Sequence, residues 1–172
     1  IGPLALLDQV SKVETYVASG QREGARVAAG GKRPQREELA KGWYYEPTVM
    51  VNADNSMSFM RDELFGPVVG VVPFSSEEEM IALANDTRYG LASGIWTKDI
   101  DRAMRFATQI DAGTVWINTY RSAAFMSSMG GFKESGYGKR GGFEVMREFS
   151  RLKNVVVDYS GATQDPFVIR LR

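Results

Sequence analysis

The chemistry open to this chain is bounded by two missing residue types. Its 172 residues contain no Cys and no His. No thiolate nucleophile, Cys/His zinc site or Ser-His-Asp triad can therefore be assembled from this chain alone. Carboxylates, amides, cations and rings remain. Asp62-Glu63-Leu64-Phe65-Gly66-Pro67-Val68 places acid, aromatic, Gly and Pro directly before a β-branched run. A carboxylate there can accept hydrogen bonds from the two hydroxyls of a ribose, and a neighbouring ring can pack on a flat heterocycle. On residue types alone, a solvated acid beside a core Phe is the commoner arrangement.

Asn118-Thr119-Tyr120-Arg121 follows the strand-like TVWIN. Ligands of open α/β sheets bind beyond the carboxyl ends of strands, so polar residues there are candidates, as is an ordinary strand-ending loop. Gly136-Tyr137-Gly138-Lys139-Arg140-Gly141 matches G-x-G-x-x-G, with Asp158 about 20 residues on. The dinucleotide fingerprint needs a strand immediately before its first Gly. Gly130-Gly131-Phe132-Lys133-Glu134-Ser135 makes a poor one, so the match reads as a decoy. Lys133, Lys139 and Arg140 could hold an anion, although such charges are more often merely solvated. The Met-rich stretch 125–129 suits an adaptable apolar pocket or plain core filler.

The elements that must position these groups alternate between helix and strand, which argues for an α/β fold with a mostly parallel open sheet flanked by helices. Leu6, Val10, Val13 and Val17 predict a helix after Pro3 that stops near Gly20. Short strands are predicted at 26–29 and 93–96, a longer one at 68–74, and an extended stretch broken by Pro47 at 43–51. Ser76 and Glu79 form a capping box opening a helix over Met80, Leu83 and Ala84. A second helix covers 100–110, with Ala103, Phe106, Ala107 and Ile110 inward, and a strand follows at 114–118. Residues 121–142 read as a long functional loop, 143–149 as a short helix, 154–159 as a strand and 160–172 as a tail.

Lys plus Arg number 21 and Asp plus Glu number 21. That balance gives no basic excess for nucleic acid, and no apolar run is long enough for a membrane helix. The first residues lack the basic start of a signal peptide, and a cytoplasmic location is the default expectation. The chain begins at Ile1, so a processed product or a piece of something longer is expected.

The motifs become familiar when taken in order. Gly42-Trp43-Tyr44-Tyr45-Glu46-Pro47-Thr48-Val49 precedes the Asp62–Val68 segment. Ala84-Asn85-Asp86-Thr87-Arg88-Tyr89-Gly90-Leu91-Ala92 and Ala112-Gly113-Thr114-Val115-Trp116-Ile117-Asn118 come next, then Gly130-Gly131-Phe132-Lys133-Glu134-Ser135-Gly136-Tyr137-Gly138. This series resembles the C-terminal part of NAD(P)-dependent aldehyde dehydrogenases, from about residue 1 to 159.

The resemblance implies oxidation of an aldehyde to a carboxylic acid with NAD or NADP. In the family a Cys thiolate attacks the carbonyl, the thiohemiacetal passes hydride to the nicotinamide, and a Glu base helps water deacylate the thioester. It implies that Glu63 contacts the nicotinamide ribose and Phe65 the nicotinamide. Tyr120, Arg121 and Met129 then line the substrate pocket. Residues 1–153 would be the later part of the catalytic domain, and 154–172 an oligomerisation strand and tail supporting a homo-oligomer. The nucleophilic Cys and general-base Glu would lie upstream, so no catalytic residue is assigned here and the chain alone is expected to be inactive.

Lys139-Arg140 stands where the family often has Arg-Glu, and Met129 where it often has an aromatic. Arg121 at the pocket mouth suggests an anionic or polar aldehyde. The rival readings are a stand-alone, non-catalytic binding or assembly module of the same fold, and a nucleotide-binding domain built on Gly136-x-Gly138-x-x-Gly141.

Overall fold

The computed structural model describes residues 1–161. Most of the expected tail lies outside the described residues. Helix α1, Leu7–Arg22, buries Val10, Val13, Val17 and Gly20 along one stripe, as the 3.6-residue period requires. It starts later than predicted and runs through Gly20, which does not stop it. A Cβ on Gly20 would come within 2.7 Å of both the Met50 methyl and the Phe59 ring. Close approach to the core, not helix termination, explains that glycine.

Strand β1, Arg26–Ala29, pairs antiparallel with β2, Thr48–Val51, and β2 pairs parallel with β3, Val68–Gly70. On β2, Thr48 and Met50 are buried while Val49 and Val51 are half-buried, the two-residue alternation of a strand with one covered face. The four-residue helix α2, Ser58–Arg61, drops Phe59 onto this sheet. Together these elements enclose a first core that also holds Tyr45, Ala53 and Leu64.

The predicted strand at 68–74 is shorter than expected. It pairs through Gly70, and the Val71 amide still donates to Met50 at 2.9 Å. Pro73 then supplies no donor. Val69, Val71 and Phe74 are left exposed on a sheet edge with no partner among the described residues.

Helix α3, Glu77–Asn85, opens on the predicted cap. Ser76 Oγ accepts from the Glu79 amide at 3.1 Å, while the Glu79 carboxylate reaches back to the Ser75 amide at 2.7 Å. Met80 and Ile81, rather than Leu83 and Ala84, face the second core. Helix α4, Ile100–Gln109, is capped by Asp99 and buries Ala103 and Phe106. It covers the parallel pair β5, Ala92–Ile95, and β6, Thr114–Ile117.

Two-residue strands β4, Tyr89–Gly90, and β7, Phe132–Lys133, pair antiparallel. They fold the far end of the long 121–142 loop back onto the body. Gly113 is required here, because a Cβ would strike the Gly130 carbonyl. The short helix α5, Glu144–Glu148, follows.

The α/β class holds, with parallel pairing in β2–β3 and β5–β6, but the strands form three separate sheets. The strand expected at 154–159 is not formed. Residues 151–159 take no regular structure, and Val155, Val156 and Tyr159 are exposed with no sheet edge beside them. A strand needs a pairing partner to satisfy its backbone, and none lies against this stretch among the described residues.

Candidate functional site

The 62–67 segment is held by its backbone. Gln9 and Lys12 lie one turn apart on α1. The Gln9 amide donates to the Leu64 carbonyl and, at 3.0 Å, to that of Phe65. Lys12 Nζ donates to the Glu63 carbonyl at 2.7 Å. Leu64 is buried in the first core, so its neighbours are pushed outward. Gly66 lies flat on Val13, where a Cβ would overlap a methyl group.

Phe65 has φ +51°, a left-handed conformation that costs an L-residue about 1–2 kcal/mol. In a regular strand residues 63 and 65 would share a face. The turn at Phe65 separates them instead. Phe65, 75% exposed, lines a broad cleft of about 1040 Å³, and Glu63 lines an adjoining cavity of about 370 Å³. Leu91, Ala92 and Ser93 border both.

The smaller cavity is acidic, with Asp62, Glu63, Asp111 and Glu134 around it. The neighbouring acids are already engaged. Asp62 accepts from the Tyr16 hydroxyl at 2.7 Å, and that bond holds the phenol pKa above its ordinary value. Glu134 faces Arg88 at 3.3 Å and Asp111 faces Lys133 at 3.7 Å. The Glu63 carboxylate has no hydrogen-bonding or ionic partner among the described residues. It can accept from an incoming pair of hydroxyls, and an exposed ring stands two residues away. An acceptor and a ring so placed are the groups that the hydroxyls of a ribose and a flat heterocycle call for.

The far wall of the large cleft follows β5 and β6. Their carboxyl ends are tied together, since Asn118 Oδ1 accepts from the Thr97 amide and Asn118 Nδ2 donates to the Thr97 carbonyl, both at 2.8 Å. Trp116 Nε1 donates to the Ser122 carbonyl at 2.7 Å, and the Tyr120 ring meets the Trp116 ring edge-on at 5.4 Å. These contacts fold 120–122 back over the strand end. Met129 is pinned by a reciprocal backbone pair with Arg140, at 2.8 and 2.6 Å.

Phe65, Tyr120, Arg121 and Met129 thus line one cleft, together with Trp96 and Trp116. Glu63 is the sequence candidate that falls outside it. Sequence reasoning missed Trp96, Trp116, Gln9 and Lys12. The two Trp residues stand at strand ends, the position already used for Tyr120. Gln9 and Lys12 carried only a helical spacing beside the apolar stripe.

The glycine motif at 136–141 is not a strand-turn-helix. Gly136, Gly138 and Gly141 all have positive φ, and the Lys139 amide donates to the Glu148 carboxylate at 2.8 Å. An internal carboxylate thus takes a donor that a phosphate cradle would need. Lys133 is likewise committed, donating to the Asn85 and Thr87 carbonyls at 2.8 and 3.2 Å. Among the described residues no helix is long and apolar enough to cross a membrane, and no cluster of acids suits a metal ion.

Residues 1–155 match the aldehyde dehydrogenase family. The chain is 46% identical, over 154 residues, to a betaine aldehyde dehydrogenase of Bacillus subtilis, covering 90% of this chain and 31% of that protein. It is 41% identical, over 167 residues, to a betaine aldehyde dehydrogenase of Brucella anthropi, covering 97% and 34%. Among solved structures, betaine aldehyde dehydrogenase of Staphylococcus aureus in complex with NAD+ superposes with a TM-score of 0.84 at 44% identity, covering 86% of this chain and 29% of that one. The chain therefore spans about a third of the length of the curated relatives it matches.

Proposed function

Because the chain belongs to the aldehyde dehydrogenase family, we propose that it supplies the nicotinamide-side contacts and one wall of the substrate pocket in an NAD-dependent oxidation of an aldehyde to a carboxylic acid. The observation that carries this reading is the unpartnered Glu63 carboxylate and the exposed Phe65 ring, facing two adjoining cavities from one backbone turn that Gln9 and Lys12 clamp. NAD, when bound, supplies the hydride acceptor. Glu63 accepts from the ribose hydroxyls and fixes the rotation of that sugar. Phe65 packs against the nicotinamide and keeps water from one face. Tyr120, Arg121 and Met129 bound the aldehyde.

NAD rather than NADP is favoured by the NAD+ complexes of the structural relatives. The chain has no Cys, so in this reading the thiolate comes from the rest of the enzyme, where the general-base Glu is also placed, and turnover requires that part. Residues 1–153 are read as the later part of the catalytic domain. Residues 154–172 are read as an oligomerisation strand and tail, the strand at 154–159 pairing when a second copy provides its edge. A cytoplasmic, homo-oligomeric enzyme is the corresponding setting.

A second reading of the substrate takes it from the relatives' names. The rings of Phe65, Trp96, Trp116 and Tyr120 around the cleft would attract a trimethylammonium group such as that of betaine aldehyde.

The decisive experiment uses the polypeptide that carries this segment together with its thiolate. Glu63→Gln should slow the pre-steady-state NADH burst roughly tenfold to a hundredfold, the worth of a charge-assisted hydrogen bond. A burst of unchanged rate removes the assigned role.

A further inference from the structure

We infer that Arg121 makes the large cleft selective for aldehydes that carry a carboxylate, against those that carry a trimethylammonium group. This rests on the aldehyde dehydrogenase reading and specifies its substrate class.

Arg121 is the single charged side chain among the described residues lining the cleft, and no Asp or Glu lines it. Its guanidinium has no hydrogen bond or ion pair among the described residues. Arg33 holds Glu14, Arg61 holds Asp86, Arg88 holds Glu134 and Arg105 holds Glu77; Arg121 shares its lack of a partner with Arg26, Arg36, Arg140 and Arg151, but of these it is the one that lines the cleft. Among the described residues the charge of Arg121 is therefore left unpaired.

The fold also carries this side chain at a backbone cost. Arg121 has φ +56°, a region Gly or Asn occupies more easily. It is kept there by the Asn118–Thr97 clamp on one side and the Trp116–Ser122 bond on the other. Strain held in place by surrounding contacts, on a residue without a structural partner, points to a ligand.

The chemistry of that ligand follows from the guanidinium. Its planar fork matches a carboxylate in two parallel hydrogen bonds. The apolar and aromatic walls limit competition from water, which strengthens the pair. For a trimethylammonium group the same site is contradictory. The rings attract a cation only at close range, whereas repulsion between two full charges falls off slowly with distance. The acids of the adjoining cavity sharpen the contrast. On one side of Leu91–Ser93 lie carboxylates, and on the other lies the Arg121 guanidinium. A carboxylated aldehyde is thereby oriented with its charge toward Arg121.

The test measures kcat/KM in the polypeptide that includes the thiolate, for two aldehydes of similar length. One ends in a carboxylate and the other in a trimethylammonium group. The carboxylated aldehyde should be preferred at least tenfold. Arg121→Gln should abolish the preference by raising KM for that aldehyde alone, and Arg121→Lys should restore part of it. Raised salt should narrow the ratio. In parallel, quenching of Trp96 and Trp116 fluorescence by glutarate and by choline reads binding without turnover, with the same dependence on Arg121.

Preference for the trimethylammonium aldehyde, or a carboxylate preference that survives Arg121→Gln, overturns the inference. Loss of the dehydrogenase reading looks different. In that case no NADH burst is seen with either aldehyde, while the glutarate titration still reports whether Arg121 selects a carboxylate.

Discussion

The side-chain amide of Gln9 donates to the backbone carbonyl of Phe65 across 3.0 Å, so a residue of α1 secures a strained turn 56 positions away in sequence. Gln9 also serves the Leu64 carbonyl, and Lys12 serves that of Glu63. Gln9→Ala removes two of these bonds and leaves the apolar stripe of α1 intact. Amide exchange across 63–68 should rise about fivefold to tenfold, corresponding to about 1 kcal/mol. NADH affinity should fall with it while the global unfolding midpoint moves little. Unchanged exchange in this segment would show that burial of Leu64 alone is sufficient.

Phe65→Gly separates strain from function. The ring is largely exposed, so its loss removes little packing. Glycine adopts the φ of +51° freely, at the cost of a more flexible unfolded chain. The variant should be as stable as the parent or more so, by up to about 1 kcal/mol, while losing contact with the cofactor. Denaturant unfolding and NADH titration on the same variant check both halves. A fall in stability greater than 1 kcal/mol would mean that the ring packs against the protein itself.

The α3–α4 contact is acid-sensitive. Glu77 accepts from Arg105 at 2.8 and 3.1 Å and from Arg102 at 3.4 Å. The Arg105 hydrogen bonds are the main cause that holds its carboxyl below the usual range. Its contribution is fully present above the ordinary glutamate pKa and is lost as the pH falls through the lower folded-state value. Glu77→Gln should flatten the acid limb of the stability curve below about pH 4.3. The pH dependence of the unfolding midpoint measures this, and parallel curves for parent and variant would exclude the contribution.

The class of fold and most helices were legible because their signals are local. Val10, Val13 and Val17 carry the period of α1, and Ser76 with Glu79 carries its own cap. Gly20 was misread because its reason is Met50 and Phe59, which lie far away in sequence. Strands β4 and β7 have two residues each, too few to show a period, yet they dock the long loop. The stretch 154–159 has the β-branched composition of a strand and lacks a neighbour to pair with among the described residues.

At the site, Phe65, Tyr120, Arg121 and Met129 were legible as candidates through the resemblance, and they line one cleft. Their separation from Glu63 was not legible, because it follows from one positive φ that composition does not reveal. Gln9 and Lys12 act through backbone carbonyls, an interaction that leaves no pattern in residue types.

The two apolar clusters share no residue. One holds Val10, Val13, Met50 and Leu64, and the other Ile95, Ala103, Phe106 and Ile110. Phe65 is anchored to the first, through Leu64. Tyr120 and Arg121 are anchored to the second, whose cluster includes Val115 and Ile117 of β6. The walls of the cleft therefore rest on separate apolar cores, and they are expected to unfold as separate cooperative units. Calorimetric enthalpy should exceed the van't Hoff value, and damage to Val13 should reach the cofactor-side wall while leaving the Arg121 wall in place.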